Sequence, residues 1–317
     1  MIRRTFATAL AAATMLATAG AAMAYPDKPV TYIIPFNPGG ESDITARLQQ
    51  PFFEELTGQS LIIKYQAGAG GAQAWSQLNQ MTGDGHVIMG TNLPHIILQP
   101  LTSNPGYETD DLTNIYMFHY TPDAIIVSKD SQFKTLQDLI DYAKANPGAV
   151  TFAGSGTNSA NHLALQRFNE LAGVTTTYIP FGGTGPSVTA LLGGQVMAGM
   201  GYSTVAANHA DDTRMLAVAT EERMALFPDV PTFKELGIDM VSGAYRGIAV
   251  PASTPEDIRK ELSDIIDRIN HDPDFIKRME EGGFVVTNIG YDQIDAFMAQ
   301  KKKELSAIAQ QMGILKQ

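Results

Sequence analysis

Three glycine-rich turns carry the residues best suited to hold an anion. The first is Pro35-Phe36-Asn37-Pro38-Gly39-Gly40-Glu41-Ser42-Asp43, set between a β-branched run and the helical pattern Ile44–Leu56. Glycines let the backbone turn tightly, and Ser42 or Asp43 can cap the helix. Free N–H groups at its start then face outward with the positive end of the dipole, a setting that suits an anion. The second turn, Gly154-Ser155-Gly156-Thr157-Asn158-Ser159-Ala160-Asn161, has the same form and adds three hydroxyls. The third is Phe181-Gly182-Gly183-Thr184-Gly185. Each alone reads equally well as a plain connection. The first two, in separate units and each at the C-terminal end of a strand, read as two halves of one site, because ligands of open α/β sheets bind at that edge.

Other chemistry is poorly served. There is no G-x-S-x-G elbow, no H-E-x-x-H and no G-x-x-x-x-G-K-[ST]. Gly68-Ala69-Gly70-Gly71 approaches a dinucleotide fingerprint, but Gln73 stands where its last glycine belongs. The six histidines lie far apart, and only His95 and His162 sit beside candidate ligand turns, where they could donate to a bound anion. The absence of cysteine excludes disulfides, thiolate catalysis and zinc-thiolate sites. No cofactor, no metal and no catalytic residue is expected, and the methionines read as core filler.

The elements that must position these turns alternate. Strands are expected at Pro29–Phe36, Leu61–Tyr65, Val87–Thr91, Ala124–Ser128, Val150–Ala153, Thr175–Ile179, Met197–Tyr202 and Met215–Ala219. Helical patterns such as Ile44–Leu56, Leu136–Ala145 and Asn161–Ala172 lie between them, which argues for parallel sheets covered by helices, an α/β architecture. The last third differs. Thr254-Pro255-Glu256-Asp257 starts a helix, Asp272-Pro273 starts another, and a short strand at Phe284–Thr287 precedes a final helix from Tyr291 to Met312. Consecutive helices after two α/β units are expected to pack back on the first unit. Lobe 1 would then comprise residues 25–125 and 248–317, and lobe 2 residues 126–247. Two crossings, near Ala124–Ser128 and Arg246–Val250, would form a hinge beside a ligand cleft.

The chain opens with Arg3 and Arg4, an alanine- and leucine-rich run, and Ala22-Met23-Ala24. That is the pattern of a cleavable signal peptide, residues 1–24, cut before Tyr25, which implies export to the periplasm. Twenty-two basic residues face 33 acidic ones, a net charge of −11, and loss of the two leader arginines takes it to −13. Nucleic acid and anionic lipid would be repelled, so neither is expected as a partner. An anionic ligand must therefore be held by local donors.

The segments YPDKPVTYIIPFNPGGESDITAR, QAGAGGAQAW, LIDYAKANPGAVTFAGSGTNSANHLA, YIPFGGTGPSVTALLGGQV and LFPDVPTFKELGI, followed by GIAVPASTPEDI, occur in this order across the chain. Together with the Gly83-Asp84-Gly85 turn, they resemble the solute-binding proteins of tripartite tricarboxylate transporters, the Bordetella uptake gene family. The resemblance implies a type II periplasmic-binding-protein fold, two α/β lobes with a ligand cleft between them. It implies capture of a small di- or tricarboxylate by a monomer, and delivery to a large and a small membrane subunit driven by an ion gradient.

Carried onto this chain, the family pattern points to Phe36, Gly39, Gly40 and Ser42, with Asp43 beside them, in the first lobe. In the second it points to Thr157, Asn158 and Ser159, with Gly182 and Gly183 close by. Thr91, Asn92, Tyr202, Ser203 and Thr204 are further candidates for polar contacts. Tyr245-Arg246-Gly247 departs from the family's aromatic pair before glycine, so Arg246 is open to two readings. It pairs with a second carboxylate of the ligand, or it is a hinge arginine tied to a neighbouring acid. Two other functions use the same cleft: a sensing partner of a receptor kinase, and a periplasmic enzyme acting on a carboxylate, for which no nucleophile-base pair is visible.

Overall fold

A computed structural model describes residues 25–316. The expected signal peptide and its cleavage site lie outside the described residues.

The first unit runs β1 (Val30–Ile34), α1 (Glu41–Thr57), β2 (Leu61–Tyr65), α2 (Ala72–Trp75), β3 (Val87–Leu93) and α3 (His95–Thr102). A long strand, β4 (Thr113–Ser128), leads to the second unit: α4 (Leu136–Ala145), β5 (Thr151–Gly154), α5 (Ala160–Ala172), β6 (Thr177–Pro180), α6 (Thr184–Leu192), β7 (Ala198–Tyr202), α7 (Ser203–Asn208) and β8 (Thr213–Val218). The chain returns through β9 (Gly243–Val250) to α8 (Glu256–Asn270), α9 (Pro273–Glu281), β10 (Val285–Ile289) and α10 (Tyr291–Gln311).

Local chemistry explains these boundaries. Thr135 and Asp138 form a reciprocal capping box on α4. Asp272 caps α9 with Pro273 in its first turn, and α5 stops at Gly173 in the left-handed conformation. Along α8, Leu262, Ile265, Ile266 and Ile269 are buried at helical spacing, with Ile258 packed at the margin. Each such side chain taken from water contributes about 1.5–3 kcal/mol.

The strands form one mixed sheet in the order β2-β1-β3-β9-β4-β7-β5-β6, with β8 and β10 also on β4. The expected parallel pairings are present as two groups: β1 with β2 and β3, and β5 with β6 and β7. The all-parallel expectation is corrected between them, where β4 and β9 run antiparallel to each other and to their neighbours. β4 pairs with β9 from Thr113 opposite Val250 to Pro122 opposite Gly243. From Asp123 it pairs instead with β7, and from Ala124 also with β8. The strand expected only at Ala124–Ser128 therefore reaches back to Thr113. Its interior residues are buried on both faces apart from Tyr120, which erases the alternation that marks a half-buried strand.

The two largest buried clusters are separate. One joins β1, β3, the first half of β4 and β9 to helices α8 and α9, and includes Trp75, Tyr116, Ile248 and Ile266. The other gathers Ile125, Phe152, Phe168, Met200 and Phe233. These are the cores of two α/β lobes, and the anion-seeking turns meet between them.

Candidate functional site

The turn after β1 is built around Asp43. Its carboxylate accepts the Gly39 N–H at 2.8 Å, Arg47 Nε at 2.8 Å and the Tyr65 hydroxyl at 2.6 Å. Gly39 has φ = 80°, a conformation that a side chain disfavours, so the turn needs glycine there. No side chain caps α1 at Gly40. Asp43 thus lines the cavity, but its oxygens are spent on shaping the turn.

Across the cleft, the turn after β6 lies against this one. The Asn37 N–H donates to the Gly182 carbonyl at 3.2 Å. A Cβ on Gly40 would sit 3.5 Å from the Gly185 nitrogen, and one on Gly183 3.4 Å from the Phe36 Cβ. The second turn closes on another part of the first lobe: a Cβ on Gly156 would come within 3.2 Å of the Gly70 Cα. The lobes are shut on each other by main chain against main chain.

Between them lies a narrow cavity with room for about one water molecule. Phe36, Gly40, Ser42, Asp43, Asn92, Tyr202 and Arg246 line it, bringing together seven of the residues expected from sequence. Others stand apart. Thr157, Asn158 and Gly182 line a second groove at the mouth, with Gly68–Ala72 and Gln99. Gly39 borders a third, outer depression beside Gly185. Gly183 begins α6 and packs on Phe36. Ser159 caps α5 by accepting the His162 N–H at 3.2 Å and lies 3.2 Å from the Tyr178 hydroxyl. The Thr91 hydroxyl turns into the sheet and donates to Asn114 Oδ1 at 2.8 Å.

Five further residues line it: Asn37, Glu41, Ser155 and Thr184, with His95, which the sequence already places beside a candidate turn as a donor to a bound anion. Ser155 sits inside the second turn and was readable as the serine between two glycines. The helix that carries His95, α3, is masked in the sequence because Pro94 precedes it and Pro100 lies within it. Glu41 looked like an ordinary acid at a helix start.

The charges concentrate on Arg246. Its Nη2 contacts Glu41 Oε2, and its guanidinium lies 4.6 Å from the centre of the Tyr202 ring. With the Asn92 amide oriented to satisfy its neighbours, Oδ1 accepts Arg246 Nε at 2.9 Å and Nδ2 donates to the Thr91 carbonyl at 3.2 Å. Thr204 donates its hydroxyl to Glu41 Oε1. Arg246 and Glu41 are each only 3% exposed. Burial pushes the Glu41 carboxyl above the usual range, opposed by Arg246 and Thr204. Arg246 is therefore both tied to a neighbouring acid and exposed to the cavity.

Several buried groups here have no hydrogen-bond partner among the described residues: Arg246 Nη1, both ring nitrogens of His95, and Ser155 Oγ. Buried polar groups are nearly always paired, so an unpaired set converging on one cavity makes it the candidate ligand site. Burial, with the nearby Arg246 charge, lowers the His95 pKa to about 3, so its ring is a neutral donor and acceptor. The donors are uncharged apart from one arginine, a set that can grip a carboxylate through several short hydrogen bonds. Among the described residues no group of three metal-binding side chains occurs, and no helix is long and apolar enough to cross a membrane.

Known proteins resemble this chain in sequence and fold. A protein encoded in the gbd 5′ region of Cupriavidus necator is 29% identical over 92% of this chain and 90% of its own length. The periplasmic binding protein BugD superposes with a TM-score of 0.87 at 27% identity, covering 92% of this chain and all of its own. MatC from Rhodopseudomonas palustris, solved with bound malate, superposes with a TM-score of 0.83 at 26% identity over 90% of this chain and 99% of its own. The family model described as the tripartite tricarboxylate transporter family receptor matches residues 45–314, and this chain belongs to that family.

Proposed function

We propose that the mature chain is a periplasmic solute-binding protein that captures a small di- or tricarboxylate and hands it, unaltered, to a tripartite tricarboxylate-type transporter. The observation that carries this reading is the set of unpartnered buried donors, from Arg246, His95 and Ser155, facing one cavity between two lobes. Malate in MatC supports an acid of this class. The partners are a large and a small membrane subunit, and the chain acts as a monomer after cleavage before Tyr25.

Binding is assigned to Phe36, Gly40, Ser42, Asn92, Tyr202 and Arg246, with Ser155 and His95 added. The mouth residues Thr157, Asn158 and Gly182 act on closure. Lobe 1 is assigned to residues 25–125 and 248–317, and lobe 2 to 126–247. Residues 245–247 of β9 pair with both β3 and β4, which favours counting them with the first lobe.

A thermal-shift screen of the mature protein against malate, succinate, citrate, adipate, glutamate and benzoate tests the reading. Bound acid raises the melting temperature by mass action. If none does so at millimolar concentration, the carboxylate assignment is wrong. Uptake of the best acid by cells lacking the chain separates transport from sensing, since only a transport role predicts lost uptake with transporter subunits still present.

A further inference from the structure

We propose that Glu41 is a specificity-determining residue: a tethered carboxylate seated on Arg246, which the second acid group of a ligand must displace. A diacid is then captured together with one proton, and a monoacid without one. This rests on the carboxylate reading of the cavity.

The geometry makes the competition direct. Glu41 lies on the first turn of α1, lines the cavity, and meets the guanidinium at Nη2 while Nη1 stays without a protein partner. The cavity holds about one water beside this pair, so an acid group cannot join Glu41 there without moving it. A second carboxylate arriving at Arg246 would put two negative groups on one buried cation.

Among the described residues, the surroundings offer the displaced group no other buried cation. Thr121 and Asp123 face the pair from β4, Thr204 from α7 and Tyr202 from β7. His95 on α3 and His119 on β4 face Arg246, and burial keeps both rings neutral. On its own helix the neighbour is Asp43, whose Oδ1 takes Arg47, a side chain more than half exposed. Among the described residues, the buried cluster holds one positive charge and at least one acid besides Glu41. A displaced, buried Glu41 with hydroxyl neighbours alone is held as the neutral acid. The proton comes from solvent and adds to the Glu41 carboxylate; no other bond forms or breaks. Burial already raises the affinity of Glu41 for that proton.

A ligand with one acid group behaves differently. Its carboxylate is held by the neutral donors of the two turns, Arg246 keeps Glu41, and no proton is needed.

The test is isothermal titration of the full mature chain with chain-matched probes, adipate against hexanoate and succinate against butyrate, in phosphate and in Tris between pH 6 and 8. For the diacids, the dependence of heat on buffer should report about one proton taken up, and affinity should fall by up to tenfold per pH unit. The monoacids should show neither effect. Glu41→Gln should abolish the proton uptake and the slope and tighten diacid binding by tenfold or more. Because loss of one partner of a buried pair can unfold a protein, Glu41→Gln/Arg246→Gln is the second variant, and it should bind diacids no more tightly than monoacids. Diacid capture by the wild type without proton uptake, or unchanged diacid affinity in Glu41→Gln, overturns the proposal while leaving the carboxylate reading intact. Failure of every acid to bind either protein overturns both.

Discussion

Gly39 and Gly185 meet main chain to main chain across the cleft. A Cβ on Gly185 would lie 2.9 Å from the Gly39 carbonyl carbon and 2.8 Å from the Pro38 oxygen. Real Cβ atoms do not tolerate such distances, so closure of the lobes in this form depends on hydrogen at that position.

Gly185→Val should therefore hold the lobes apart without disturbing either core. Ligand affinity should fall by tenfold or more, because only the closed state surrounds the acid, while the melting temperature without ligand changes little. Calorimetry and small-angle scattering check this together. A variant that binds normally with an unchanged radius of gyration would show that closure does not pass through this contact.

Ser155 and Thr157 belong to the same turn but face different spaces. Ser155 Oγ is buried in the cavity without a protein partner, whereas Thr157 lines the groove at the mouth. Removing a donor to a buried carboxylate costs about 1–3 kcal/mol, or roughly five- to 150-fold in affinity. Ser155→Ala should reach that range, as should Ser42→Ala, while Thr157→Ala should stay within about threefold. Equal losses at Ser155 and Thr157 would move the acid outward to the mouth.

Asp43 is expected to act on binding through the turn it holds. Three donors converge on its carboxylate, from Gly39, Arg47 and Tyr65. Asp43→Asn leaves the shape but weakens these bonds, so stability should drop by about 1–2 kcal/mol, as for loss of a helix cap. Affinity should fall further than stability, since the turn carrying Phe36 and Ser42 loosens. Tyr65→Phe removes only one of the three donors and should show a smaller loss of both kinds.

How much of this was readable from sequence depends on how far apart the cooperating residues lie. The strand-turn-helix units around Ser42 and Ser155 declare themselves locally, through β-branched runs, glycines and caps. The extent of β4 does not: Pro122 and Asp123 interrupt its pattern, and burial on both faces removes alternation. β9 was visible only as a crossing near Arg246–Val250, because its partners β3 and β4 lie more than a hundred residues upstream. Arg246 was noticed as a departure, but its mate Glu41 stands 205 residues away in a place where an acid needs no special reason. Ser159 and Thr91 have the right chemistry for a ligand and use it on the protein itself.

The pH dependence of stability follows from two buried groups with opposite signs. His95 in the folded protein titrates at about 3, against 6.5 in the unfolded chain. Below pH 6.5 the unfolded state binds the extra proton, so this contribution, complete above 6.5, is lost as pH falls toward 3; the loss reaches about 2 kcal/mol at pH 5. His119, also pushed well down by burial, adds to the same arm. Asp123 works the other way. Burial raises its carboxyl to about 7 from 3.8, despite a hydrogen bond from Ser242. Between those values the folded state keeps a proton that the unfolded chain has released, so stability falls as pH rises from about 4 to 7. Asp123→Asn should thus gain about 4 kcal/mol at pH 8, change little at pH 4, and expose a steeper acid loss from the histidines. Urea unfolding of both proteins across pH 4–8 measures the difference, and a variant that loses stability at pH 8 would mean that Asp123 is ionised in the fold and supported by Arg246.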